Sequence, residues 1–194
     1  MEFISNYLNE VSDIALTIEM GKIVEMVDEL VKVKKSNGRL FIIGVGGSAG
    51  NAGHAVNDFR KLVDLEAYSP TDNISEITAR TNDEGWETVF EGYLKVSRLS
   101  LNDCLLILSV GGGNLEKKVS LNICNAISYA KKNNTKILAI VGREDGYAFQ
   151  NADVCLRIPV VNPNHVTPHS EAFQAIIWHL LVSHPKLKSN KTKW

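Results

Sequence analysis

Two pairs of side chains in this sequence have the types and spacing to do chemistry. His54 and Asp58 lie four residues apart in a helical stretch, so they share a helix face. Glu171 and His179 lie eight apart in a second helical stretch, which also places them near one face. Two helices would then each offer one imidazole and one carboxylate. Such a set binds Zn²⁺ through three or four nitrogen and oxygen ligands, or works without metal as a general acid–base pair. Each member also has a plainer role. A single His on an amphipathic helix is commonly a surface or capping group, and Glu171, near a helix start, would complement the dipole there. His169 and His184 are further imidazoles with loop or terminal positions.

Two glycine-rich turns accompany these pairs. The first lies in FIIGVGGSAGNAGHAVND, where Gly44-Val45-Gly46-Gly47-Ser48-Ala49 fits the dinucleotide fingerprint and Glu66 stands roughly where a ribose-binding carboxylate would be. A tight strand-to-helix turn without ligand has the same appearance. The second, LSVGGGNLEKK, repeats the order of apolar strand, serine, glycines and helix. Gly111, Gly112 and Gly113 let backbone approach a ligand closely. Two such turns in one small domain suit a compact ligand held between them, such as a sugar phosphate, better than a dinucleotide. The stretch Gly142-Arg143-Glu144-Asp145-Gly146 follows a strand and could place Arg143 near a phosphate, but a surface turn is the expected reading.

Positioning these groups requires a sheet. Apolar runs over 40–43, 105–108, 137–141 and 154–161, with a weaker one over 65–68, alternate with helical patterns over 49–63, 75–81, 86–99, 115–133 and 168–183. Continuous apolar strands separated by helices imply a parallel sheet buried on both faces. The expected fold is therefore α/β, a doubly wound parallel sheet with helices on both faces. Helices over 4–18 and 20–35 precede it as an N-terminal helical hairpin for core packing or oligomerisation. Ligands in such folds bind beyond the carboxyl ends of the strands, where helix N-termini attract anions.

Composition bounds the rest. The 194 residues suit one domain, with N-terminal helices over 1–36, an α/β core over 37–184 and a tail over 185–194. That tail carries Lys186, Lys188, Lys191 and Lys193, expected to be solvated. A formal net charge of −1 gives no bulk attraction to nucleic acid or an anionic membrane. Cys104, Cys124 and Cys155 are odd in number and widely spaced, which fits free core thiols in a reducing cytoplasm. Neither a signal peptide nor a membrane span is expected. Trp178, inside the last helical pattern, is expected in the core.

With these motifs in hand, nearly the whole chain resembles the sugar isomerase (SIS) domain family and, within it, the phosphoheptose isomerases. The family's first loop reads G-N-G-G-S, followed by a helix carrying H-x-x-x-E; here these are GVGGS and His54-x-x-x-Asp58. Its last helix carries Q and H eight apart, here Glu171 and His179, and its N-D pair before a helix resembles Asn82-Asp83. Its phosphate loop, S-T-S-G-N-S, is matched by Ser109-Val110-Gly111-Gly112-Gly113-Asn114.

The resemblance implies an aldose–ketose isomerase acting on a sugar phosphate, most naturally sedoheptulose 7-phosphate for heptose precursor synthesis. It implies Zn²⁺ held by His54, Asp58, Glu171 and His179. From the His/carboxylate pair on each of two helices, Asp58 is expected as base and His179 as acid, with Glu171 as the alternative base. Substrate contacts would come from Ser48, Asp83, Ser109, Gly111, Gly112, Gly113 and Asn114. The assembly would be a homotetramer with active sites at subunit contacts. Asp58 is one methylene shorter than the family's Glu, Glu171 adds a charge, and Gly111 and Asn114 remove hydroxyls. The alternative is a non-catalytic SIS module that binds a phosphosugar or assembles partners.

Overall fold

The computed structural model describes residues 1–192; Lys193 and Trp194 lie outside the described residues. Five strands form one parallel sheet: β1 (Leu40–Gly44), β2 (Ala67–Tyr68), β3 (Cys104–Ser109), β4 (Lys136–Val141) and β5 (Val154–Arg157). Their order is β2-β1-β3-β4-β5. In register, Leu40 faces Cys104 and Cys104 faces Lys136. The chain turns outward in both directions from β1 and β3, so the ends of those two strands form the switch point where such sheets take ligands.

Strand alternation divides the core in two. Leu40, Ile42, Leu106, Leu108, Leu138 and Ile140 point to one side. They pack under α2 (Met20–Lys35), α3 (Gly47–Asp58) and α8 (Val166–Ser183). Phe41, Ile43, Leu105, Ile107, Ala139 and Val141 point to the other. They pack under α5 (Val89–Val96), α6 (Leu121–Lys132) and α7 (Tyr147–Asn151). Because both faces are covered, the strands need no polar residues, and this is why their sequences are continuous apolar runs. A helix α4 (Ile74–Glu84), capped by the Asn73 side chain accepting from the Glu76 amide, completes the fold.

Helix α1 (Glu2–Thr17) is joined to α2 through extended Ile18. Ile14 is its one fully buried residue, and Phe3, Ile4 and Leu8 are exposed. The tail after α8 folds back on the core. Leu187 is buried, the amides of Ser189 and Asn190 donate to the Leu62 carbonyl, and Lys34 Nζ donates to the Val63 carbonyl at 2.5 Å. Lys186 is also engaged, by Asp28 at 2.7 Å, so this segment is docked rather than simply solvated. No helix among the described residues is long and apolar enough to cross a membrane.

Three boundaries differ from the sequence pattern. The helical run over 49–63 becomes α3 and then a π turn, Phe59–Val63, closed by Asp64 at φ 57°. β5 ends at Arg157 because Pro159 has no amide to continue the ladder. The run over 115–133 is helical only from Leu121: Asn114 and Val119 pair backbone to backbone, and the Asn114 side chain accepts from the Lys117 amide at 2.8 Å. A local Asx turn thus captures residues whose composition alone reads as helix.

Candidate functional site

Helices α3 and α8 run side by side in the same direction. Gly47 lies against Glu171, Asn51 Nδ2 donates to the Glu171 carbonyl (2.9 Å) and to Gln174 Oε1 (3.1 Å), and His54 meets Trp178. At the start of α3, the absence of a side chain on Gly47 permits this close approach. Continuing the same pairing, His54, Asp58 and His179 come together at the far end, their ligand atoms all within 4.8 Å of one another. Both imidazole Nε2 atoms lie 3.8 Å from Asp58 Oδ2. Asp58 is 4% exposed, and its Oδ1 accepts from Asn57 Nδ2 at 2.8 Å. The imidazoles are open to solvent, so the group is a buried carboxylate with an accessible mouth.

The donor set fits a divalent metal. A separation of 3.8 Å is too long for a hydrogen bond. It is within about 0.5 Å of the spacing of two ligands on a tetrahedral Zn²⁺. His179 Nδ1 lies 2.8 Å from the Ala175 carbonyl, which can only accept, so Nδ1 carries a proton and Nε2 is the ring nitrogen turned toward Asp58. A backbone carbonyl holding the second nitrogen is the usual way a ligand imidazole is oriented. Trp178, fully buried as its helical pattern requires, fixes the rings: its centroid is 3.5 Å from that of His179 and 4.6 Å from that of His54.

Glu171 does not join this group. Eight residues of α-helix rise about 12 Å. A shared face therefore leaves Glu171 more than two turns from His179. Its carboxylate sits instead over Gly47, where a Cβ would lie 2.5 Å from Oε2, at the N-terminus of α3. The expected four-ligand set is thus three residues within this chain, with Glu171 at the other end of the helix pair.

A second cluster has the same residue types and a different logic. Glu10 Oε2 lies 2.7 Å from both His165 Nδ1 and His169 Nε2, and Asn162 Nδ2 donates to Oε1 at 2.7 Å. Hydrogen bonds from His169, Asn162 and His165 hold the Glu10 carboxyl down at about 2. His169 Nδ1 is buried without a partner. A metal on Nε2 would force a proton onto that unpartnered nitrogen and bury an unsatisfied donor. The cluster is therefore a hydrogen-bonded clamp that pins α1 to the start of α8.

The glycine turns stand at the carboxyl ends of the strands. In the first, Gly46 has φ 65°, and a Cβ on Gly44 would strike the Ser48 carbonyl. Ser48 is buried in the first turn of α3. In the second, Ser109 Oγ accepts from the Gly112 amide at 3.0 Å, and Gly112 and Gly113 have φ of 72° and 78°. The carbonyls of Gly113 and Gly112 accept from Tyr147 and Ala148, so the loops after β3 and β4 are stitched together. The Asn114 amide is spent on Val119, while the amides of Gly111 and Gly113 hold no acceptor among the described residues. Between these loops lies a cleft of about 290 Å³ that includes Gly111, Asn114, Lys117, Ser120 and Arg143.

Several expected contacts change place here. Asn114, matched by order to the last serine of S-T-S-G-N-S, caps its own turn. The residue that actually precedes α6 is Ser120, with φ 49° and no side-chain partner. A serine just before the apolar pattern of 121–132 was the sequence signal for it. Asp83 is exposed on α4, bonded to Asn82 (2.7 Å) and lining neither glycine turn. Arg143 lies on an exposed turn that is also a wall of the cleft. The cysteines are free, and burial pushes the thiols of Cys104 and Cys155 up, the latter to about 12, which removes them as nucleophiles.

The SIS domain model matches residues 5–142. The chain belongs to the SIS domain family. Among its relatives in that family, phosphoheptose isomerase of Helicobacter pylori (strain 26695) is 29% identical over 162 residues, covering 81% of this chain and 79% of that protein. Lincomycin biosynthesis protein LmbN of Streptomyces lincolnensis is 30% identical over 152 residues, 75% of this chain. This chain spans about half the length of LmbN, 55%. Among solved structures, phosphoheptose isomerase GmhA from Neisseria gonorrhoeae superposes with a TM-score of 0.80 at 22% identity, covering 93% of this chain and 96% of that one. The two chains thus share one fold over nearly their whole lengths.

Proposed function

We propose that this SIS protein is a sugar-phosphate isomerase that interconverts an aldose and a ketose, with sedoheptulose 7-phosphate as the first candidate substrate. One observation carries the reading: His54, Asp58 and His179, from two helices far apart in sequence, meet around one buried carboxylate with the His179 tautomer already set for ligation or proton transfer. The relationship to phosphoheptose isomerases at 29% identity supports the reaction class.

Isomerisation moves one proton between adjacent carbons and one between their oxygens, with no net redox change. Asp58 is placed to take the carbon-bound proton and return it to the neighbouring carbon. His179 Nε2, when it ligates no metal, moves the proton between the two oxygens. A Zn²⁺ held by His54, Asp58 and His179 would polarise those oxygens and stabilise the enediolate charge. Ligation and proton abstraction would draw on the same Asp58 lone pairs, so with a metal held there the two duties would compete, with Glu171 as the alternative base.

The glycine turns are the proposed sugar-phosphate contacts, through Ser48, Ser109 and the free amides of Gly111 and Gly113. Eleven residues of α3 place Asp58 about 16 Å from Gly47 at the sheet edge, too far for one small sugar phosphate to span within a chain. This supports the proposed homotetramer, in which the acid–base group of one copy meets the loops of another, and it gives Glu171 a site to serve. Exposed Phe3, Ile4 and Leu8 on α1 are available for such contacts. Free thiols support a cytoplasmic location.

The loss of loop hydroxyls at Val110 and Gly111 favours a second reading, a non-catalytic SIS module that only binds a phosphosugar. Incubation with sedoheptulose 7-phosphate, with and without added Zn²⁺ and followed by NMR, separates the two. Formation of an aldoheptose 7-phosphate is expected. Absence of both stoichiometric zinc and turnover would leave the module, whereas tight zinc without turnover of sedoheptulose 7-phosphate would point to another sugar phosphate.

A further inference from the structure

We propose that Lys117 and Arg143 are the residues that hold the substrate phosphate in this chain, replacing hydroxyl donors with cations. The inference rests on the sugar-phosphate reading of the glycine turn and specifies how that turn works. The Ser109 hydroxyl remains, but Val110, Gly111 and Gly113 contribute no side-chain donor. The remaining serine, Ser120, is displaced beyond the turn over 114–119. A phosphate dianion would find too few hydroxyls here, and the cleft offers something else.

Lys117 stands on the turn held by Asn114, and Arg143 on the loop after β4; both line the same cleft as Gly111, Gly113 and Ser120. Neither side chain has an ion pair or hydrogen bond among the described residues. Four cations elsewhere are engaged, Arg39 with Asp103, Arg80 with Glu76, Lys95 with Glu91 and Arg157 with Glu144, while Lys35, Arg98, Lys118 and Lys132 are, among the described residues, unpaired like these two; what sets Lys117 and Arg143 apart is their place on one cleft. Asp145 is the one carboxylate among the described lining residues, so two cations against one anion leave the wall net positive. The wall is also rigid. Tyr147 and Ala148 tie it to Gly113 and Gly112, and a Cβ on Gly146 would strike the Gly111 carbonyl. Unengaged amides at Gly111 and Gly113 and the Ser120 hydroxyl, held at φ 49°, complete the donor set. An Arg fork and an ammonium on a fixed nest of amides make a phosphate site by charge and geometry.

The experiment uses the full chain and the variants Lys117→Gln, Arg143→Gln and the pair, with inorganic phosphate binding measured by calorimetry at two salt concentrations. KM and kcat on the sugar phosphate are measured alongside. Both residues are exposed, and circular dichroism checks that each variant is folded. Loss of one charged contact predicts phosphate affinity about 10- to 100-fold weaker. The KM should rise in step, kcat should change little, and the double variant should lose salt dependence. Unchanged phosphate affinity in the double variant, or no phosphate binding by the parent, overturns the proposal. Phosphate binding that depends on Lys117 and Arg143 without isomerisation of any sugar phosphate keeps this site and overturns the catalytic reading.

Discussion

Replacing Asp58 with Asn removes one charge and almost nothing else. Asp58 is 4% exposed and its Oδ1 already accepts from Asn57 Nδ2, a bond that the carbonyl oxygen of the introduced amide would keep. No Lys or Arg among the described residues pairs with the carboxylate; its nearest polar neighbours across the site are the two imidazoles 3.8 Å away. Folding stability should therefore change by no more than about 1 kcal/mol. Chemistry should change far more. The amide can neither abstract a proton nor neutralise a dication, and loss of a positioned base costs about 10²- to 10⁴-fold in rate. At 1.36 kcal/mol per tenfold, that is about 3 to 5 kcal/mol of barrier. Asp58→Glu is the companion variant. It keeps the charge and adds one methylene to a tight site, costing about 1–3 kcal/mol of stability, and should retain most turnover. The assay is kcat on the sugar phosphate, with bound zinc by elemental analysis and the melting temperature. A folded Asp58→Asn protein with kcat within about threefold of the parent would refute the assignment of the base.

Three further outcomes follow from the packing. Asp103 is 2% exposed and accepts from the Arg39 guanidinium, the Arg39 and Ser100 amides and the Ser100 hydroxyl. Burial works to raise its carboxyl, these donors outweigh it, and the group ends below its ordinary value. Asp103→Ala should cost about 1–3 kcal/mol in urea unfolding by leaving the Arg39 and Ser100 amides without their acceptor, while the Arg39 guanidinium keeps the Ser97 and Arg98 carbonyls. Gly146→Ala, by pushing the Gly111 carbonyl away, should cost about 1–3 kcal/mol and weaken phosphate binding together. The Glu10 carboxyl is lowered from 4.5 to about 2, so its hold on α1 is complete above about 4.5 and lost as pH falls toward 2. Hydrogen exchange of α1 amides should rise through that window, and Glu10→Gln should abolish the step.

Local patterns carried much of the architecture. The strands were legible because a sheet buried on both faces needs uninterrupted apolar runs, and β1, β3 and β4 have them. The β3 turn was legible because Gly112 and Gly113 take φ values that side chains resist. His54 and Asp58 were legible as a pair because i and i+4 always share a face. Tertiary packing decided what lay beyond one turn of helix. The parallel docking of α3 on α8 brings His179 to Asp58 and, by the same rise per residue, carries Glu171 away to Gly47. Loop closure around Asn114 made Ser120, not Asn114, the residue at the start of α6. The carbonyl of Ala175 selects the His179 tautomer. Sequence spacing fixes direction along one element, whereas distance between two elements depends on how they pack, and the site is made of such distances.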